Sequence, residues 1–337
     1  LVARNKRNSV GSSLDGKRLT QTIRVACRQG CSQAFPCFTP YAKDGPMSAQ
    51  RLKQLAATLL VASLPFHALG AQTHPVAQAA QAVEQSLQAR VGLAVLDTTD
   101  GQLWQYRADE RFPMASTSKA LICAALLARG PGAMKTAWLV KEEAIQSYAP
   151  TTENLIGQYV AASQLCAITM RNSDNTAANG VLEMLGGPEA ITSFLRSVGD
   201  TVTRLDRNEP SLNEATPGDP RDTTTPQAMV HTLQSLVLGD ALKAPDRDRL
   251  IDWLRHNEVG GPLLRAGVPE SWTVADRTGA AAYGTRGVVA VMWHPGRAPL
   301  VVAVYITETK ASMEERNAAI ATIGKAIATA VDQKAQP

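Results

Sequence analysis

The sequence predicts an α/β chain of the α+β type: a five-stranded antiparallel sheet formed by both chain ends, with flanking helices and an inserted all-helical domain. Three observations carry this. Short runs rich in β-branched residues lie at 91–96 and 103–106 near one end, and at 272–278, 288–293 and 300–306 near the other. The stretch between them has helical periods. A further helical stripe stands outside the strands at each end, at 75–87 and 313–331. Terminal strands around a helical block are satisfied when both ends share one sheet and the helices pack as a second unit.

The first 46 residues stand apart from this pattern. They hold eight Lys and Arg against Asp15 and Asp44, three cysteines and no hydrophobic period, and read as a disordered or non-native upstream extension. Met47 then opens a basic segment with Arg51 and Lys53, an apolar run from Leu55 to Leu64, and the small residues Ala68-Leu69-Gly70-Ala71. That order is the order of a signal peptide, 47–71, and the apolar run is too short to span a bilayer permanently. The mature chain is expected at 72–337, with a sheet subdomain from 72–110 and about 257–337 and a helical subdomain over about 111–256. Charge follows the same division. The whole chain carries +4, but 1–46 carry +6 and 47–71 carry +2, which leaves −4 for the mature part. The basic character belongs to the leader region, so nucleic-acid binding and anionic-membrane binding lose their main support.

Within the mature part, Val76, Ala80, Val83 and Leu87 set a helical stripe. Val91–Leu96, a turn at Asp100-Gly101 and Leu103–Tyr106 read as a hairpin. A helix is expected to start near Ser116, followed by pieces at 176–185, 188–197, 226–238 and 246–256. Two of the late strands are separated by His294-Pro-Gly-Arg297, and the closing helix shows Ile320, Ile323 and Ile327.

Five constellations carry chemistry. Ser116-Thr117-Ser118-Lys119 places a hydroxyl and an amine one helical turn apart, on one face. A lysine desolvated against an apolar helix loses basicity and can share in removing the serine proton. Alone the pair would read as a capping serine followed by a surface lysine. Ser173-Asp174-Asn175 stands just before a helix, where the same residues also serve as N-caps. Arg277-Thr278-Gly279 ends an expected strand, and a glycine there lets a ligand approach the backbone. Arg286 begins the next strand, so two guanidinium groups can face one pocket. Glu209-Pro-Ser-Leu-Asn213 sets a carboxylate and an amide four residues apart, able to hold one water between them.

In this order the set resembles the class A serine β-lactamases, over nearly all of 72–337. The resemblance implies that Ser116 is the nucleophile and Lys119 its lysine, that Ser173 relays a proton, and that Asn175 binds the substrate side chain. It implies a water held by Glu209 and Asn213, and an oxyanion hole made by the backbone N–H groups of Ser116 and Ala280. The third motif usually begins with Lys. Here Arg277, with Thr278 and Gly279, resembles the carbenicillin-hydrolysing branch. Tyr148 stands where the family has an aromatic wall, although an incidental loop tyrosine before Pro150 fits the sequence equally well. Arg207 and Asp222 would clasp the neck of the loop that carries Glu209. Either Lys119 or Glu209 acting through a water is the base for the first step.

The implied activity is hydrolysis of penicillins, carbenicillin included, through a serine acyl-enzyme that gives antibiotic resistance. The implied chain is a periplasmic monomer acting on a small-molecule β-lactam, with no cofactor, no nucleic acid and no stable membrane association once the leader is removed. None of the five histidines has metal-ligand spacing, so no metal is expected. The alternatives are a penicillin-binding D,D-peptidase, which lacks the Glu209–Asn213 water holder, and a β-lactam sensor that stays acylated and is usually attached to a membrane span. Cys123 lies seven residues after Ser116 and Cys166 seven before Ser173. A disulfide between them would tie the two motifs together and suit an exported protein, while two inert buried thiols remain the other reading.

Overall fold

The computed structural model describes residues 74–335. The expected upstream extension, signal peptide and cleavage point near Gln72 lie outside the described residues. Helix α1 (Pro75–Leu87) starts where the sequence stops it from starting earlier: His74 caps it by accepting the Val76 N–H on Nδ1, and Pro75 occupies the first turn. Strands β1 (Arg90–Asp97) and β2 (Leu103–Tyr106) form the expected hairpin. The short β3 (Phe112–Pro113) follows, then α2 (Ser118–Ala128), α3 (Pro131–Lys135), and β4 (Ala137–Leu139), which pairs with β5 (Tyr159–Ala161). Next come α4 (Ala162–Asn172), α5 (Asn175–Leu185) and α6 (Pro188–Ser197). After them β6 (Thr223–Thr224) pairs with β3, followed by α7 (Pro226–Val237) and α8 (Ala244–Arg255). The chain closes with β7 (Thr273–Ala281), β8 (Thr285–Trp293), β9 (Leu300–Thr307) and α9 (Met313–Ala335).

The sheet is five-stranded and antiparallel in the order β2-β1-β9-β8-β7, so strands from the two chain ends meet at β1 and β9. Strands β1, β8 and β9 are buried on both faces, and their period of two divides them between two cores. Val91, Leu93 and Val95 of β1, with Val302, Val304 and Ile306 of β9, pack against α1 and α9 through Val76, Ala80, Ile320, Ile323 and Ile327. The alternate residues Ala94, Leu96, Val301, Ala303 and Tyr305 face the helical block, joining Leu121, Ile122, Leu165, Met170, Met229 and Leu233. The site forms at the boundary between that block and the sheet. Among the described residues no helix is long and apolar enough to cross a membrane.

Two details differ from expectation. The third motif lies inside β7 rather than at its end, because Ala280 and Ala281 continue to pair with Arg286 and Thr285 before the chain turns. Helix α4 has no counterpart in the sequence reading. Its inward face is Leu165, Cys166, Thr169 and Met170, and the threonine interrupts the apolar period.

Candidate active site

Ser116 lies in a 3₁₀ turn, Ala115–Thr117, that runs straight into α2. The turn is fixed on several sides. The Met114 N–H donates to Asp222 O (3.0 Å), Thr117 Oγ1 donates to Met114 O (2.7 Å), and Ser118 Oγ donates to Ala115 O (2.8 Å). The Thr117 hydroxyl also shares a hydrogen bond with that of Tyr305 (3.2 Å). Strand β7 passes so close that a Cβ on Gly279 would stand 2.8 Å from Met114 O and 3.0 Å from Ser116 N. Glycine in the third motif is therefore a packing requirement of the Ser116 turn.

Lys119 points inward and is fully buried. Its Nζ donates to Ser173 O (2.8 Å) and Asn175 Oδ1 (2.6 Å), and more weakly to Ser173 Oγ (3.3 Å). Glu209 Oε1 lies 2.9 Å away. With the ammonium protons already directed at Ser173 and Asn175, the Glu209 contact is a close ion pair rather than an aligned hydrogen bond. Burial pushes the Lys119 ammonium down to about 8; Glu209 opposes that shift and Arg277 adds to it. A buried lysine at this value gives up its proton far more readily than a surface one.

Of the two readings of Ser173-Asp174-Asn175, the cap is seen directly at Asp174, and the same segment brings Ser173 and Asn175 into contact with Lys119. Ser173 ends α4 in a left-handed conformation, φ +69°. Asp174 starts α5, accepting the Ala177 N–H (2.9 Å) together with the Thr151 and Thr152 N–H groups and the Thr152 hydroxyl. This junction turns Ser173 and Asn175 toward Lys119. Tyr148 is half exposed at the rim, and its carbonyl accepts the Asn175 N–H (2.8 Å).

Glu209 is buried, and a 3₁₀ turn over Ser211–Asn213 carries Asn213 Nδ2 back to its Oε2. Asn179 holds the Glu209 backbone from both sides, donating to its carbonyl (2.8 Å) and accepting its N–H (2.9 Å). At the loop neck, Asp222 accepts the N–H groups of Asp206 (2.7 Å) and Arg207 (3.0 Å) and the Arg207 Nε proton (2.5 Å). Asp206 reciprocates by accepting the Asp222 N–H (2.9 Å). The Ala282 N–H donates to Asn213 O (3.1 Å), which ties the same loop to the end of β7.

Arg277 is fully buried, and its Nη2 donates to Ser173 Oγ (2.5 Å). Its Nε and Nη1 have no hydrogen-bond partner among the described residues. Burial pushes its guanidinium down to about 10, with Asp276 and Glu209 opposing and Arg286 reinforcing. Asp276, next along the strand, faces the other way and is held by Arg265 and Asn257. Thr278 is buried between Arg277 and Gly279, and Ala280 lies opposite Arg286. Arg286 Nη1 reaches Gly279 O (3.2 Å), and its Nε donates to Asn317 Oδ1 (2.8 Å). Away from these groups, Cys123 of α2 and Cys166 of α4 form a disulfide, Cα–Cα 5.7 Å.

The fold thus gathers Lys119, Ser173, Asn175, Glu209, Asn213 and Arg277 through direct contacts, with Ser116 one turn away and Arg286 on the adjacent strand. Sequence reasoning missed Asn179, Asp206, Tyr305 and Asn317. Asn179 had a signal, since it stands one helical turn beyond Asn175, on the same face. Among the described residues, no three His, Cys, Asp or Glu side chains converge in a way that could hold a metal ion.

A model of the β-lactamase enzyme family matches residues 75–331. The chain belongs to the class A β-lactamases. β-Lactamase AER-1 of Aeromonas hydrophila is 47% identical over 265 residues, covering 77% of this chain and 87% of the relative. β-Lactamase CARB-3 of Pseudomonas aeruginosa is 44% identical over 276 residues, covering 81% and 96%. Among solved structures, an ancestral class A β-lactamase (GNCA) superposes with TM-score 0.74 at 49% identity, covering 76% of this chain and 99% of that one. The chromosome-encoded β-lactamase of Vibrio parahaemolyticus superposes with TM-score 0.74 at 40% identity, covering 78% and 100%. The fold and the class of activity expected from the motifs, a serine β-lactamase, are those of this family.

Proposed function

We propose that this β-lactamase hydrolyses penicillins, carbenicillin included, with Ser116 as the nucleophile. Ser116 Oγ attacks the lactam carbonyl while Lys119, or Glu209 through a water, takes its proton. The backbone N–H groups of Ser116 and Ala280 hold the oxyanion. The C–N bond then breaks as Ser173 gives its proton to the departing nitrogen and takes one in exchange from Lys119, whose Nζ lies 3.3 Å from Ser173 Oγ. In the second stage Glu209 takes a proton from a water that Asn213 helps to hold, the water attacks the ester carbonyl, and the C–O bond breaks as that proton is returned to Ser116 Oγ. Asn175 and Tyr148 line the substrate side chain, and Arg277, Thr278 and Arg286 receive the ring carboxylate. The observation that carries this reading is the junction at Lys119 Nζ, which contacts Ser173, Asn175 and Glu209 at once. The test is penicillin hydrolysis by the purified wild type and by Ser116→Ala. Loss of at least about a thousandfold in kcat is expected; a variant that keeps the wild-type rate overturns the assignment.

We also infer that the enzyme acts as a periplasmic monomer whose mature chain starts near Gln72. The signal-like segment 47–71 and the Cys123–Cys166 disulfide, suited to an oxidising compartment, support export. One chain supplies every group assigned above, which supports the monomer. Intact mass of the exported protein checks the start: a mass that still includes residues 1–46 refutes it.

A further inference from the structure

Arg277 and Arg286 do not end the row of cations at this side of the site. Arg316 lies in the first turn of α9, where its Nη1 donates to Thr285 O (3.3 Å) and its Nε to Ser312 O (3.0 Å). It therefore sits against the residue preceding Arg286, while its chain neighbour Asn317 holds Arg286 Nε. Among the described residues, none of the three guanidinium groups shares a hydrogen bond or ion pair with a carboxylate.

Four of the carboxylates nearby are already committed, and Glu314, also in the first turn of α9, shares no hydrogen bond or ion pair with the three guanidinium groups among the described residues. Asp276 is taken by Arg265, Glu209 lies on Lys119 and Asn213, and Glu308 lies on Arg90. Glu315, next to Arg316, accepts the Ser312 N–H (2.6 Å) while the Ser312 hydroxyl accepts the Glu315 N–H (3.1 Å), a reciprocal cap of α9. A cation in the first turn of a helix also opposes the helix dipole, so Arg316 adds positive potential where the backbone is already positive. The Arg286 guanidinium registers this: burial lowers its basicity most, and the field of Arg316 lowers it further.

We propose that Arg316 is a positioning and specificity-determining residue: it extends the Arg277–Arg286 pair into a row of three cations, none paired with a carboxylate, that grades kcat/KM with the negative charge of the β-lactam. Arg316 touches no reacting atom and acts through the potential at Arg286. The inference rests on the penicillinase reading above and adds a residue to it.

The test uses three penicillins of increasing charge at neutral pH: zwitterionic ampicillin, singly charged benzylpenicillin and doubly charged carbenicillin. In Arg316→Gln the loss in kcat/KM is expected to rise along that series, reaching about three- to fivefold more for carbenicillin than for ampicillin at low ionic strength. The excess should appear mainly in KM and shrink in about 0.5 M salt, where the Debye length falls to a few ångströms. Arg316→Lys, which keeps the charge but not the fork, should restore the grading. If Arg316→Gln loses the same factor on all three substrates, or if its excess loss on carbenicillin is insensitive to salt, the inference is wrong. Should Arg316→Gln prove unstable, failure of Arg316→Lys to show wild-type grading overturns it equally. A wild type inactive on all three penicillins would instead refute the penicillinase reading itself.

Discussion

Replacing Asp222 with Ala cuts the neck of the loop that carries Glu209, and the structure sets the size of the effect. The carboxylate is buried and accepts two loop N–H groups as well as the Arg207 side chain. An orphaned buried N–H costs about 1–3 kcal/mol, and the lower end applies here because an opened surface loop admits water. Breaking a fully buried ion pair costs about 3–5 kcal/mol. Arg207 keeps 13% side-chain exposure and a second partner in Glu214, which reduces its share to about 1–2 kcal/mol. Together the closed loop loses about 3–4 kcal/mol relative to open forms, two to three powers of ten in its population ratio. Opening carries Glu209 away from the acyl carbonyl but leaves the Ser116 turn braced by Tyr305 and Gly279. Deacylation should therefore slow by about ten- to a hundredfold, with acylation affected less. Asp222→Asn keeps an oxygen for the two N–H groups and should lose only the ion-pair share. Stopped-flow measurement of the two steps, alongside thermal melts, checks this. Unchanged deacylation in Asp222→Ala would show that the neck does not hold Glu209 in place.

Two further outcomes follow from the same geometry. The disulfide closes a separation of 43 residues, worth about 4 kcal/mol on the chain-entropy account; Cys123→Ala should lower the Tm by roughly 10 °C with kinetics at low temperature largely intact, and an unchanged Tm would mean the bond contributes no net stability. Arg277→Lys should keep ampicillin turnover within about tenfold, near 1.4 kcal/mol, while cutting carbenicillin kcat/KM further, because lysine lacks the flat fork of donors that arginine offers a carboxylate. An unchanged ratio of the two kcat/KM values would make Arg277 a neutral substitute for lysine.

The sheet was legible because its strands carry their β-branched runs in both chain ends, with an isoleucine-rich closing helix beside them. The alternation that normally marks a half-buried strand is missing, since β1, β8 and β9 are covered on both faces. Pattern therefore located these strands without telling which residue faces which core. Helix α4 escaped because Thr169 faces inward, where its hydroxyl donates to Asp174 O (2.8 Å); a polar residue doing structural work breaks an apolar period. The motif residues were legible as local spacings. The contacts that join them, Lys119 to Ser173 across 54 residues and Arg277 to Ser173 across 104, exist only once the helical block docks on the sheet. Residues that serve the site through the backbone, such as Asn179, carry no motif of their own, and the close approach of Gly279 to the Ser116 turn is a property of packing.

In the proposed mechanism Ser116 carries the acyl group and Glu209 drives the water that removes it. The most direct measurement of this is the intact mass of Glu209→Ala after mixing with a penicillin, followed by peptide mapping. An adduct equal to the mass of the penicillin, located on Ser116 and persisting for many wild-type turnover times, is expected. A Glu209→Ala variant that turned over at the wild-type rate without accumulating an adduct, or one that carried its adduct on a residue other than Ser116, would contradict the mechanism.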